Sequence, residues 1–294
     1  MLIIALRKVG GAIHPRFKTR ERNMLPRKWT AASNSKAYGE KFMLLYSPIW
    51  IGFLAIIVIR RWYLDFRPFD YVLLGLGVSL PCIIAPFIFA GRLEKSTRPL
   101  QRYIIKTNIF IGIVGYIGNH FNTHYFYNVL GVRYTGPLAP GRGWEINRVP
   151  VSMYLMTHVY FMTYHVLFAP LLRVVRRSFQ SSTTAQYIAM GVCVIVTAFL
   201  TAFMETWTIS GFPYYTYPNF HEMLTIGSVF YGTFFVVTFP WFTRLDENPV
   251  KLWSVGKVVK EALAAMMTVL LCDEAWRLIF EYFNLSKRKG VPYA

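Results

Sequence analysis

Seven stretches of the chain are apolar enough, over a long enough run, to be read as membrane helices: 42–62, 70–91, 103–127, 151–171, 187–209, 222–243 and 258–283. A helix crosses a hydrocarbon core with roughly 17 to 25 such residues. The pattern predicts an all-α fold, a polytopic membrane helix bundle of about seven transmembrane helices. The last run is the weakest, because Asp273, Glu274, Arg277 and Glu281 interrupt its second half and suit a buried partial span. Connections are short, with no internal repeat and no low-complexity segment. Residues 1–41 read as a basic cytosolic arm, 42–283 as the membrane domain and 284–294 as a short tail.

Composition agrees with the pattern: 54% of the 294 residues are hydrophobic, 17% aromatic and only 16% charged. The formal net charge of +18 acquires meaning from its distribution. Alternate sides of a seven-span bundle carry 22 and nine Lys and Arg, the larger number on the side of the N-terminus, which places that terminus in the cytosol. Between Arg7 and Lys41 the only acids are Glu21 and Glu40, and no aromatic platform for bases interleaves the cations. Such a flank meets anionic head groups, so the lipid bilayer is an expected partner and nucleic acid is not. The stretch from Arg7 to Lys28 has some transit-peptide character, but a basic cytosolic arm is the simpler account. Asn284-Leu285-Ser286 forms a glycosylation sequon close to the membrane. Cys82, Cys193 and Cys272 all lie in apolar runs, so neither disulfides nor a zinc site are expected.

Ionisable groups inside membrane helices are costly and usually face a protein interior or a cavity. In the stretch "NHFNTHYFYN", residues 119–128, polar groups crowd the end of an apolar run. With the orientation above, Asn119 to His124, Glu205, Glu274 and His158 fall in the outer half of four different helices, which predicts one polar layer. His120 and His124 share a helix face, as do Thr201, Glu205 and Thr208, and as do His158 and the deeper His165. Asp273, Arg277 and Glu281, spaced four and four, read as a structural ion ladder, with Glu274 off it. Glu205 has no local cation, and interhelical hydrogen bonding is the alternative to a chemical role.

The motifs of several enzyme classes are missing. Six histidines without an adjacent pair, one of them His14 in the basic arm, exclude a di-iron oxygenase; the chain also lacks a dinucleotide fingerprint, a phosphate loop and a nucleophile elbow. Acid and base work in an apolar cavity remains: burial favours a neutral carboxylic acid and a neutral imidazole. Rings such as Tyr125, Phe126, Trp207, Tyr214 and Tyr231 would stabilise a passing carbocation by roughly 0.5 to 2 kcal/mol each. A lipid-soluble substrate isomerised through a cation fits these parts.

Five blocks carry a family resemblance: "YIGNHFNTHYFYNVLGVRYTGP" (116–137), "THVYFMTYHV" (157–166), "FMETWTISGFPYY" (203–215), "GSVFYGTFFVVTFPWFTRLDE" (227–247) and "EAWRL" (274–278). Together, in one order from about Lys36 to Phe280, the chain resembles the cycloeucalenol cycloisomerases, the cyclopropyl sterol isomerases of sterol synthesis. That resemblance implies a cofactor-free reaction in the endoplasmic reticulum membrane, opening the 9β,19-cyclopropane ring of a sterol such as cycloeucalenol to give the 8-ene sterol obtusifoliol. An acid protonates carbon 19, charge develops at carbon 9, and a base removes the hydrogen on carbon 8. Glu205 is the expected donor with Glu274 as alternate, and His158 or His124 the expected acceptor. Asn119, His120, Asn122, Tyr125, His165, Trp207, Tyr214 and Asp273 are the expected substrate contacts, with no metal. Two positions depart from the family's pattern: His120 stands where plant relatives are expected to have an aromatic residue, and Asp273 adds an acid beside Glu274. A sterol substrate and other sterol-synthesis enzymes are the implied partners. A sterol isomerase that shifts the double bond from position 8 to 7, or a non-catalytic sterol sensor, would use similar parts.

Overall fold

In the computed structural model, residues 29–181 and 183–283 are described; the basic stretch before them, His14, the sequon and the tail lie outside the described residues. Seven long helices account for all seven apolar runs. They are α1 (Asn34–Ile59), α2 (Pro68–Ile88), α3 (Tyr103–Ile117), α4 (Val151–Ser178), α5 (Thr184–Ile209), α6 (Phe220–Thr243) and α7 (Val255–Tyr282). Their starts follow local chemistry. Ser33, Thr183, Asn219 and Ser254 each cap a helix by accepting a backbone N–H, and Pro68 opens α2 where its missing donor costs nothing.

Large apolar side chains cover the outer surface as well as filling an aromatic core, and several charged side chains are buried with them, the arrangement of a bundle solvated by lipid. Leu45, Ile49 and Ile56 of α1 and Ile188, Val192, Ile195 and Leu200 of α5 are exposed, whereas Lys36, Glu40, Lys106, Arg173, Asp246 and Asp273 are buried. Five helices, α1, α2, α4, α5 and α6, are long and apolar enough to cross a membrane. The α-helical part of α3 has only 15 residues, and α7 carries Asp273, Glu274 and Arg277 within its apolar half. They pack against each other and against α4 or α6, and α7 keeps Leu263, Met267, Leu271 and Leu278 on an exposed face.

At the end of the bundle where α1 and α3 begin, charges form a closed network. Arg173 donates to Glu40 at 2.8 Å and to Glu247 at 2.8 Å, Lys36 lies 3.0 Å from Glu247 and donates to the carbonyls of Thr243 and Leu245, and Lys106 meets Asp246 at 2.7 Å. The segment between α6 and α7 is thereby tied to α1, α3 and α4. The helix α1 also begins at Asn34, inside the segment 1–41 read as an arm, because Lys36 and Glu40 belong to this network. Lys36, Lys106 and Arg173, which were counted among the cations of the cytosolic side, are buried structural cations.

At the opposite end, the segments 131–150 and 210–219 close the bundle. Arg133–Tyr134 pairs antiparallel with Tyr215–Thr216, placing Tyr134 beside Tyr215, and Glu145–Ile146 pairs with Val149–Pro150 in a short hairpin. Gly136 has φ +58°, and a Cβ there would lie 2.5 Å from the ring of Tyr214, so only glycine fits this closure.

Loss of one member of the buried network strands its partners. Arg173→Met is expected to cost about 3 kcal/mol or more, read as thermal unfolding in detergent. Burial alone would push the Glu247 carboxyl up, but hydrogen bonds from Arg173 and the charge of Lys36 outweigh it and hold the group down at about 2. A depressed folded value means that Glu247 contributes stability above the unfolded carboxylate range of about 4.3. That contribution is lost as pH falls from there toward about 2. The Arg173→Met protein should show a shallower loss of stability across that acid window.

Candidate active site

The end of α3 departs from regular α-helical geometry. After Ile117 the helix widens into π turns at Gly118–Asn122 and Phe126–Leu130, separated by one α-helical turn at Thr123–Tyr125, and stops at Gly131 with φ 68°. Such bulges frequently mark functional sites because they re-aim side chains that a regular helix would hide. Here Gly118, Asn119, Asn122, Thr123 and Phe126 face a cavity closed by three other helices and the Tyr134–Tyr215 pair. The α4 contribution is Met153, Thr157 and Phe161, spaced by four on one face; α5 supplies Glu205, Thr206 and Ile209. Met223, Phe230, Tyr231 and Phe234 of α6 complete the wall.

Among the described residues lining this cavity, Glu205 is the one carboxyl, and no imidazole, Lys or Arg joins it. Tyr231 donates its hydroxyl to Glu205 Oε2 at 2.8 Å, and the Tyr164 hydroxyl also interacts with the carboxyl. Among the described residues, no cation pairs with it. Asn119 donates to the Gly115 carbonyl at 2.8 Å and accepts from Thr157 at 3.4 Å, which fixes its amide against the wall. Burial pushes the hydroxyls of Tyr134 and Tyr215 well up, and the charge of Glu205 adds to it, so both close the cavity as neutral phenols.

Glu205, Asn119 and Asn122 thus meet as the polar-layer reading expected, while the imidazoles lie elsewhere. His124 reaches the Asn147 carbonyl at 3.2 Å, and His120 stacks on Tyr116 with ring centroids 5.6 Å apart. The Asn pair and the His pair occupy neighbouring faces of the same turns, about 100° apart per residue, and the cavity took the Asn face. His158 is one residue past Thr157 and bonds to Asn108 at 2.8 Å, toward α3. His165 is fully buried with both nitrogens committed, Nδ1 donating to the Phe161 carbonyl at 2.7 Å and Nε2 accepting from Thr238 at 3.0 Å.

The acids of α7 exchange the places expected of them. The ion ladder runs from Glu274 through Arg277 to Glu281, at 2.5 and 2.6 Å, on an accessible face, and Tyr125 donates to Glu274 at 3.3 Å. Asp273, read as a rung, is instead buried and accepts a hydrogen bond from Asn122 Nδ2. One helical residue separates the two acids, and the turn that buries Asp273 necessarily exposes Glu274. Trp207 points outward, and Tyr214 packs on Gly136 in the closing segment.

Three lining features went unread in the sequence. The face Met153, Thr157, Phe161 has a visible spacing of four but no ionisable group to draw attention. Tyr231 was singled out for its ring and not for its hydroxyl. Tyr134 and Tyr215 come together only through strand pairing. The cavity encloses about 150 Å³, less than the roughly 300 Å³ at which pockets for drug-sized ligands begin. It is therefore narrower than the sterol-sized chamber that the sequence suggested, though Met153 and Met223 in its wall are unbranched and adaptable.

Comparison with known proteins finds cycloeucalenol cycloisomerase of Arabidopsis thaliana, 35% identical over 255 residues that cover 86% of this chain and 89% of that one. No protein-family model and no solved structure matches the chain.

Because the exposed ladder is screened, Glu274→Gln is expected to change stability by less than about 1 kcal/mol and Glu205–Tyr231 geometry not at all. Thermal unfolding in detergent checks the first. An unfolding temperature several degrees lower would show that Glu274 is held more tightly than its position implies.

Proposed function

The chain belongs to the cycloeucalenol cycloisomerase family, and on that premise we propose that it opens the 9β,19-cyclopropane ring of a cyclopropyl sterol with Glu205 as the proton donor. The observation that carries this reading is the solitary carboxyl of the cavity, held by Tyr231 at 2.8 Å among aromatic faces. Electrons of the bond between carbons 9 and 19 take the Glu205 proton to form a methyl group, leaving the positive charge at carbon 9. The electrons of the carbon 8 hydrogen bond then form the double bond between carbons 8 and 9, and that proton leaves to a base.

His124 and His158 were the expected acceptors, but neither lines the cavity. Carbons 8 and 19 are both bonded to carbon 9, so one carboxyl can reach both. The Glu205 carboxylate left by the first step therefore takes the carbon 8 proton, and the enzyme returns to its starting state without a cofactor. Tyr231 stabilises that transient carboxylate by a charge-assisted hydrogen bond. The faces of Phe161, Phe230 and Phe234 offset the positive charge at carbon 9, each by roughly 0.5 to 2 kcal/mol. Met153 and Met223 turn aside to admit the ring system.

Membership of a multi-pass membrane bundle with a sterol-directed family supports the endoplasmic reticulum as location, with the N-terminus in the cytosol. The unit that carries the activity corresponds to residues 42–283, together with the first turns of α1. A double-bond-shifting activity gains no support from the cavity beyond the shared need for one acid.

The reading is tested in microsomes of a sterol-synthesis mutant yeast fed cycloeucalenol, with sterols separated by gas chromatography and mass spectrometry. Glu205→Gln is expected to lower ring opening by about 1,000-fold or more and Tyr231→Phe by about tenfold. His124→Gln and His158→Gln should stay within about threefold of wild type. A Glu205→Gln protein with undiminished turnover rejects the donor assignment, and a His158→Gln protein without turnover rejects the single-carboxyl scheme. Wild-type activity should fall along one limb as pH rises, since only one group must be protonated; a bell-shaped profile would require a separate base.

A further inference from the structure

The cavity wall contains a second polar arrangement that the ring opening does not use. Asn122 is buried, lines the cavity, and donates Nδ2 to Oδ2 of Asp273, which lies behind it on α7. With Nδ2 committed to Asp273 on α7, the amide has only its Oδ1 end left to offer a ligand. Among the described residues, Asn122 Oδ1 is buried without a partner, and so is Asp273 Oδ1. An unpaired buried acceptor is costly and persists where it has a ligand to receive. Asn119, one helical turn earlier, differs in this respect, since its amide is satisfied at both ends by Gly115 and Thr157.

We infer that Asp273 is a positioning residue that orients the Asn122 amide, so that Asn122 Oδ1 accepts a hydrogen bond from the free 3-hydroxyl of the sterol. The inference rests on the ring-opening reading and assigns to Asn122 the contact with the sterol's free 3-hydroxyl, which an ether or ester at that oxygen cannot make. It also gives the substrate a direction. The hydroxyl end meets Asn122 on α3, with α7 behind it, while the cyclopropane meets Glu205 on α5. Glu274, adjacent in sequence, takes no part, because its carboxyl is occupied by Arg277 and Tyr125.

The test compares cycloeucalenol with its 3-O-methyl ether as substrates for the full-length protein in microsomes, reading kcat and KM for ring opening of each. Wild type should favour the free hydroxyl by about tenfold or more in kcat/KM. Asn122→Leu and Asp273→Leu should lose that preference to within about threefold, mainly through a higher KM for the free sterol. Asp273→Asn should keep it, because its carbonyl oxygen still accepts from Asn122. Should Asp273→Leu fail to accumulate, Asn122→Leu and the wild-type comparison decide alone. Equal opening of both sterols by wild type, or a preference undiminished in Asn122→Leu, overturns the hydroxyl assignment and leaves the ring-opening reading standing. A wild type that opens neither sterol overturns both.

Discussion

The hydrogen bond from Tyr231 to Glu205 joins α5 to α6 in the cavity wall. Much depends on it, because α5 buries little of its own surface; Ala198, Ala202 and Thr206 are among its few buried positions. Its outer face is set against lipid, and its inner face is small enough for α6 to approach closely. A Cβ on Gly232 of α6 would lie 2.7 Å from the Phe199 ring of α5. The carboxyl therefore sits where two helices pack tightly, and the same packing brings the phenol within bonding distance.

The two ends of the bundle treat charge in opposite ways. Around Arg173 every carboxylate meets a cation, and the network holds α1, α3, α4 and the α6–α7 segment together. Around the cavity, Glu205 and Asp273 meet only neutral donors. Buried charge is tolerated when it is paired, and an unpaired ionisable group in such surroundings is retained for chemistry or recognition. The proposed division of labour follows: a rigid, fully paired end that fixes helix positions, and an under-paired end that receives the sterol. The π turns of α3 belong to the second end, since they present both Asn119 and Asn122 to the cavity.

Much of this was legible in the sequence because lipid exposure leaves long apolar runs and punctuates them with caps. All seven runs became helices, and Glu205 stood out as an acid with no cation within a turn. What could not be read was rotation. Whether the Asn119–Asn122 face or the His120–His124 face turns inward, and whether Asp273 or Glu274 is buried, depends on interhelical packing that no single helix encodes. The pairing of Lys36 and Arg173 with Glu247 spans most of the chain, so their role as core ions was hidden behind an ordinary charge count. The meeting of Tyr134 with Tyr215 was hidden likewise, in two segments that look like connecting loops.

The proposed chemistry requires the cyclopropane carbon to lie against Glu205, and a structure of the protein with a cyclopropyl sterol bound tests this most directly. Electron cryomicroscopy of the Glu205→Gln variant, which should hold the sterol unreacted, is predicted to show carbon 19 within about 3.5 Å of the residue-205 side chain. A sterol seated elsewhere, with His124, His158 or Glu274 as its nearest ionisable group, would contradict it.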